Sequence, residues 1–346
     1  MENAVNMLTR SENPLFDTSF IPDDVWLELE DDQVQVLMAA VDNDNPTYEE
    51  TLSGPYVEKW NEAKQVELTN LQRLNTWEVS KLPHGRTPIG YKWAFKIKRE
   101  KGVIVKFKAR LTAKGCSQKA GIDYTETFAP VARQTSLRLF LSLASALGVH
   151  IKQAEVANAF PNAPLQEEIY MKAPPELGLD DGWVLKLLQA LYGLKQAGRE
   201  WNRMLVDFLK SLGFNQSKID TCIFFRGSRT DGNLHYILIY MDDLLLAAIQ
   251  LGIIEEIIGQ FRKNFTLTVE ELGHFLGMDI YYNQSSGIME LSLFHYIQSL
   301  LNKYAAYLPH ANKRRKNPMD QDGQRLSSAM RKVKCHCCHI VILLVH

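Results

Sequence analysis

The sequence predicts an α+β fold in which an antiparallel sheet is backed by helices. Three observations predict it. The apolar run Tyr236-Ile237-Leu238-Ile239 meets Tyr240-Met241-Asp242-Asp243, and a second apolar run, Leu244-Leu245-Leu246-Ala247-Ala248, follows at once. That reads as strand, tight turn, strand, with two carboxylates at the turn. Residues 89–110 alternate as a hairpin with a cationic face, and residues 134–147 carry apolar positions at helical spacing. With 346 residues, 46% hydrophobic and 23% charged, the chain has room for more than one subdomain.

The elements follow in order. Residues 1–45 have no clean period, carry most of the acids at this end, and read as an acidic, poorly ordered linker closed by the turn residues Asn43-Asp44-Asn45-Pro46. Residues 48–74 read as one helix with Trp60, Ala63, Leu68, Leu71 and Leu74 as its apolar stripe. In the hairpin, Tyr91, Trp93, Phe95 and Ile97 alternate with Lys92, Ala94, Lys96 and Lys98; Val103, Val105, Phe107 and Ala109 alternate with Ile104, Lys106, Lys108 and Arg110. The helix 134–147 presents Leu137, Phe140, Leu141, Ala144 and Leu147 on one face and ends at Gly148. A strand from Ile151 to Val156 carries Glu155. Short strands follow near Ile169-Tyr170-Met171 and Val184 to Leu187, then a helix over 197–212, a strand at Ile223 to Phe225, and a helix over 253–264. Phe275 to Ile280 and Gly287 to Leu291 read as strands and 294–305 as a helix.

Net charge is −1, so overall charge says nothing about nucleic acid, but its distribution does. Residues 1–50 hold thirteen acids and one base, Arg10, whereas residues 92–119 hold ten bases and one acid, Glu100. The basic stretch is a candidate phosphate-binding surface. Five cysteines, two of them isolated, make no disulfide framework and fit a reducing, intracellular setting, cytoplasmic or nuclear. The first residues lack a signal-peptide pattern, and the apolar run at 340–345 is far shorter than the roughly 20 residues a membrane span needs, so no membrane association is expected. In the tail, Lys334-Cys335-His336-Cys337-Cys338-His339 is too crowded for the usual zinc-ligand spacing, and 321–346 reads as an unrelated, metal-free segment.

Two adjacent carboxylates between apolar strands call for a neutralising partner, and a hard divalent cation with oxygen ligands is the usual one. An acidic hairpin turn is the plainer reading of Asp242-Asp243 alone. The longer motifs decide between them. Tyr240-Met241-Asp242-Asp243 resembles the catalytic turn of reverse transcriptases. Gly90-Tyr91-Lys92-Trp93-Ala94-Phe95-Lys96, Lys108-Ala109-Arg110-Leu111-Thr112-Ala113-Lys114-Gly115, Thr127-Phe128-Ala129-Pro130-Val131, Leu191-Tyr192-Gly193-Leu194-Lys195-Gln196-Ala197 and Phe275-Leu276-Gly277-Met278 resemble copia-type retrotransposon polyproteins, in order, over about residues 46–320.

The resemblance implies a right-hand polymerase fold: a fingers-type region at 46–130, a palm at 131–265, and a primer-grip hairpin with a partial thumb at 266–320. It implies an RNA-directed DNA polymerase acting on an RNA or DNA template-primer and deoxynucleoside triphosphates, with two Mg²⁺ ions about 4 Å apart and Mn²⁺ as the alternative ion. Glu155, Asp242 and Asp243 take the catalytic positions, and Glu155, Val156, Asp242 and Asp243 the metal-site positions. Lys98 and Arg110 are the candidates for the triphosphate. Phe160 stands where these enzymes place the aromatic residue that excludes a 2′-hydroxyl. Gly193, Lys195, Gln196, Tyr240 and Met241 are the remaining template and nucleotide positions. Gly193 is read as permitting close approach of a ligand. The departures from the family's pattern are Glu155 where the family has Asp, Pro161 and Ala163 after Phe160, Gly198 where it usually has Pro, and a shortened stretch at His274. A catalytically inactive retrotransposon remnant that at most binds nucleic acid is the alternative. A plain RNA-binding module of ferredoxin-like topology is a third, against which the three carboxylates argue.

Overall fold

The computed structural model describes residues 44–100, 102–228, 233–303 and 339–342. The expected acidic linker and the Cys/His run before His339 lie outside the described residues. The chain is mixed α/β with antiparallel sheets and divides into two compact units. The smaller holds described residues 44–70 and 92–112, the larger 71–91 and 113 onward.

The expected helix over 48–74 is two helices, α1 (Tyr48–Ser53) and α2 (Val57–Arg73). The physical reason is in the sequence: Gly54 caps α1 through its N–H to the Glu50 carbonyl, and Pro55 has no N–H with which to continue. Thr47 and Glu50 form a reciprocal capping box at the start of α1. After β1 (Trp77–Lys81), the long hairpin strands β2 (Tyr91–Glu100) and β3 (Val103–Ala113) pair with each other alone. Their apolar side packs on α2 through Trp60, whose ring lies 5.2 Å from Phe95 and 4.8 Å from Phe107, both edge-on. Such pairs add about 0.5–1.5 kcal/mol beyond burial. Lys92, Lys96 and Lys98 stay exposed on the other side.

In the larger unit, α3 (Gln134–Leu147) ends where expected, at Gly148 with φ 62°. Then come β4 (His150–Val156), β5 (Pro164–Lys172), β6 (Trp183–Gln189), α4 (Ala197–Ser211), β7 (Asn215–Gln216), β8 (Ile223–Arg226), β9 (His235–Tyr240), β10 (Asp243–Ala248), α5 (Leu251–Arg262) and β11 (Leu267–Glu271). One sheet has the order β11-β4-β10-β9-β8-β7, and a second has β1-β6-β5. In the first, Tyr236, Leu238, Leu245, Ala247 and Ile151 face α3 and pack with Leu137, Phe140, Leu141 and Ala144. The alternate residues Ile237, Ile239, Leu244, Leu246 and Ala248 point to the other side and are buried as well. That two-sided burial is why β9 and β10 read as continuous apolar runs and not as alternating ones.

The remaining strands, β12 (His274–Phe275), β13 (Met278–Asn283), β14 (Ile288–Ser292) and β15 (His339–Ile342), form a four-stranded sheet, with α6 (Phe294–Lys303) after β14. The shortened stretch at His274 leaves the hairpin intact. Phe275 pairs with Met278 across a two-residue turn in which Leu276 and Gly277 both have positive φ, 50° and 78°. Among the described residues no helix is long and apolar enough to cross a membrane.

Candidate active site

The carboxylate turn is a two-residue connection. Tyr240 pairs with Asp243, so Met241 and Asp242 form the loop. Met241 sits at φ 58°, a left-handed conformation that a side chain like methionine rarely adopts. Two donors hold the turn's carbonyls: the Trp201 indole N–H donates to Met241 O at 2.8 Å, and the Val156 N–H donates to Asp242 O at 2.9 Å.

On the other side of β10, Glu155 of β4 lies directly opposite Asp243, and Thr268 of β11 lies opposite Glu155. Directly opposed residues on antiparallel strands share a face with Cβ atoms about 4.5–5.5 Å apart. Burial, and then the like charges of Asp242 and Glu155, push the Asp243 carboxyl from its ordinary 3.8 up to about 6. The three acids therefore feel one another. They do not form a closed cage: among the described residues no group of three or more His, Cys, Asp or Glu side chains is disposed to hold a metal ion. Glu155 is exposed, so its longer arm stays in water, where its like charge toward Asp243 is screened. The donor chemistry, oxygen only and anionic, fits a hard dication such as Mg²⁺. Val156 can contribute only backbone, because its side chain is buried and its N–H holds the turn.

The perturbed acid predicts a pH dependence of the metal-free chain. Folded Asp243 keeps its proton to higher pH than the unfolded chain does, so folding loses stability as pH rises from 3.8 to about 6, and the loss is complete above that. Asp243→Asn is expected to raise the melting temperature above about pH 6 and to change it little below 3.8, as checked by thermal melts at both ends of that window. An equal rise at both ends would show that the acid is not what destabilises the turn.

The segment before α4 differs from expectation in two places. Gly193, at φ 90°, does admit a close approach, but of the chain's own backbone: a Cβ there would stand 2.1 Å from Ala113 O, and one on Gly115 would stand 2.1 Å from Gly193 O. Gln196 is fully buried, and its amide is spent internally, donating to Asp123 O at 2.8 Å and Glu167 Oε2 at 3.1 Å and accepting from Gln118 at 3.0 Å. A side chain so committed shapes the segment and does not reach out to a template. Lys195 is exposed, with its ammonium 3.1 Å from Tyr124 Oη and 4.6 Å above that ring. Half-buried Phe160 packs with its ring centre 5.0 Å from that of Tyr192, the planes tilted by 49°. Tyr240 and Met241 are half-buried at the turn itself. Lys98 and Arg110 belong to the smaller unit. Lys98 is exposed, and the Arg110 charge helps offset the burial that raises the Glu67 carboxyl there.

Sequence reasoning missed Trp201, Gln118 and Asp123. A usable signal existed for the first, because a buried indole N–H needs an acceptor. Gln118 and Asp123 act through contacts spanning some seventy residues of sequence, with no local signature.

Residues 74–317 match the family "Reverse transcriptase (RNA-dependent DNA polymerase)". The chain belongs to the reverse transcriptase family. It is 34% identical over 303 residues to the Retrovirus-related Pol polyprotein from transposon TNT 1-94 of Nicotiana tabacum, covering 86% of this chain and 22% of that one. It is 36% identical over 229 residues to the corresponding polyprotein from transposon RE1 of Arabidopsis thaliana, covering 64% and 15%. The transposon Ty1-DR1 Gag-Pol polyprotein of Saccharomyces cerevisiae is 28% identical over 300 residues, covering 81% and 16%. The reverse transcriptase chain thus spans less than a quarter of these relatives' length. Among solved structures, a foamy viral protease-reverse transcriptase in complex with double-stranded DNA aligns with a TM-score of 0.34 at 14% identity, covering 65% of this chain and 34% of that one.

Proposed function

We propose that this chain is the RNA-directed DNA polymerase domain of a copia-type retrotransposon. The observation that carries the reading is the placement of Glu155 directly across from Asp243 beside Asp242, inside a chain of this family. The larger unit then serves as palm and the β2–β3 hairpin as fingers, with the 274–292 strands as primer grip. In nucleotidyl transfer a primer 3′-oxygen bonds to the α-phosphorus of a deoxynucleoside triphosphate, the bond to the β-phosphate oxygen breaks, and pyrophosphate leaves. Asp242, Asp243 and Glu155 would hold the Mg²⁺, which when bound would supply the positive charge that this displacement needs. Phe160, packed against Tyr192, is the aromatic wall against which a sugar's 2′ position is read. Within the smaller unit, Lys98 and Arg110 are the cations suited to a triphosphate, and the exposed lysines of the hairpin to template phosphates.

A second reading, nucleic-acid binding without polymerisation, is favoured by one specific observation: an exposed Glu stands at the first carboxylate, and no three-ligand group is gathered among the described residues. Primer extension on the purified 346-residue chain, with an RNA template, a DNA primer, deoxynucleoside triphosphates and Mg²⁺, separates the two. Glu155→Asp is the companion variant. Removing one methylene draws the carboxylate back by about 1 Å, a displacement that can change rate by roughly 10²-fold, so extension is expected to rise at least about 10-fold. A fall in Glu155→Asp would show a site adapted around Glu, and extension absent from both proteins would favour binding alone.

A further inference from the structure

We infer that Trp201 is a positioning residue for the carboxylate turn, acting from beneath through its indole hydrogen bond to Met241 O. Three observations carry this. The turn is held against its own preference, since Met241 is not glycine and yet sits at φ 58°. Such a residue persists only where its surroundings over-determine it. Second, Trp201 is 1% exposed, and its one polar atom reaches the strained residue's carbonyl at 2.8 Å. Third, the indole is packed into an aromatic cluster. Its ring lies 5.5 Å edge-on to Phe265, which packs at 5.2 Å on Phe208, and Phe208 packs at 4.9 Å on Phe261 of α5. The donor is therefore a fixed strut between two helices and the turn.

Gly198, one helical turn before Trp201, adds to the arrangement. A Cβ there would stand 3.9 Å from Met241 Cε and 3.4 Å from Ala129 Cβ, so the start of α4 lies against the same residue. The β4 side is held independently by the Val156 N–H on Asp242 O. Trp201 fixes one end of the Met241–Asp242 pair and Val156 the other, and between them they set where Asp242 and Asp243 stand relative to Glu155.

The consequence for rate rests on the polymerase reading; the consequence for the turn does not. The test uses Trp201→Phe in the full chain, which keeps an aromatic ring in the cluster and removes the donor. Amide hydrogen exchange is read at Val156, whose N–H holds the turn, and at Ile239, whose N–H donates to Cys222 O at 2.9 Å within the same sheet. Val156 protection is expected to fall about 10-fold, the factor that the net worth of one hydrogen bond corresponds to, with Ile239 unchanged. Adding Met241→Gly should restore part of that protection, because glycine takes positive φ without strain. Primer extension should fall by about 10²-fold in kcat with little change in nucleotide KM, the signature of misplaced chemistry and not of lost binding.

Unchanged Val156 protection overturns the inference. Equal loss at Val156 and Ile239 overturns it too, since it makes Trp201 ordinary core. A selective loss at Val156 in a chain whose parent shows no extension upholds the positioning role and sinks the polymerase reading alone.

Discussion

Asp242→Asn is expected to bring primer extension to background, a loss of about 10³-fold or more. That scale is typical when a group aimed at developing charge is removed from a preorganised site. A neutral amide is a poorer ligand for a hard dication, and the turn has no spare acid to replace it. Asp242 O already accepts the Val156 N–H, so the backbone of the variant should hold its place while the chemistry of the side chain changes. The check pairs single-turnover extension with a melting curve. Retained extension in a normally folded variant would place the reactive centre somewhere other than this turn.

Gly193→Ala is expected to have a large effect on folding. The added carbon would stand 2.1 Å from Ala113 O, and the residue would have to keep φ 90°. Neither atom can step aside cheaply, because Ala113 N–H donates to Tyr192 O at 2.7 Å and the Gly115 backbone lies against Gly193 from the other side. Strained backbone alone costs about 1–3 kcal/mol, and the collision adds to it, so a loss of about 3 kcal/mol or more is expected by chemical denaturation. Gly102→Ala makes the control: its φ is 83°, but open space surrounds it, so it should cost only the backbone strain. Equal losses at the two positions would refute the interlocked-backbone account.

Much of this molecule was legible because its elements follow local rules. The helix at 134–147 was readable from a period and a terminal glycine, and the hairpin at 240–243 from two apolar runs separated by polar residues. The break at Gly54-Pro55 is equally local: a residue without an N–H follows a glycine there, and the apolar stripe from Trp60 onward lies entirely after it. What periodicity could not supply was partnership. Nothing near Glu155 in sequence says that it faces Asp243, and nothing near Gln196 says that its amide is spent on Asp123, Glu167 and Gln118. Gly193 shows the same limit: a permissive backbone was evident, but whether a ligand or the chain itself fills the space depends on a strand eighty residues away.

The two-sided burial of β9 and β10 has a consequence for the chain before it is folded. His235–Tyr240 and Asp243–Ala248 are β-prone segments almost free of charge, the kind that stacks with copies of itself when exposed. Asp242 between them and Asp243 at the start of the second are the interruption, and charged residues at that place act as gatekeepers against self-association. Variants that neutralise both acids are therefore expected to precipitate from the unfolded state sooner than the parent, whatever they do to the folded site.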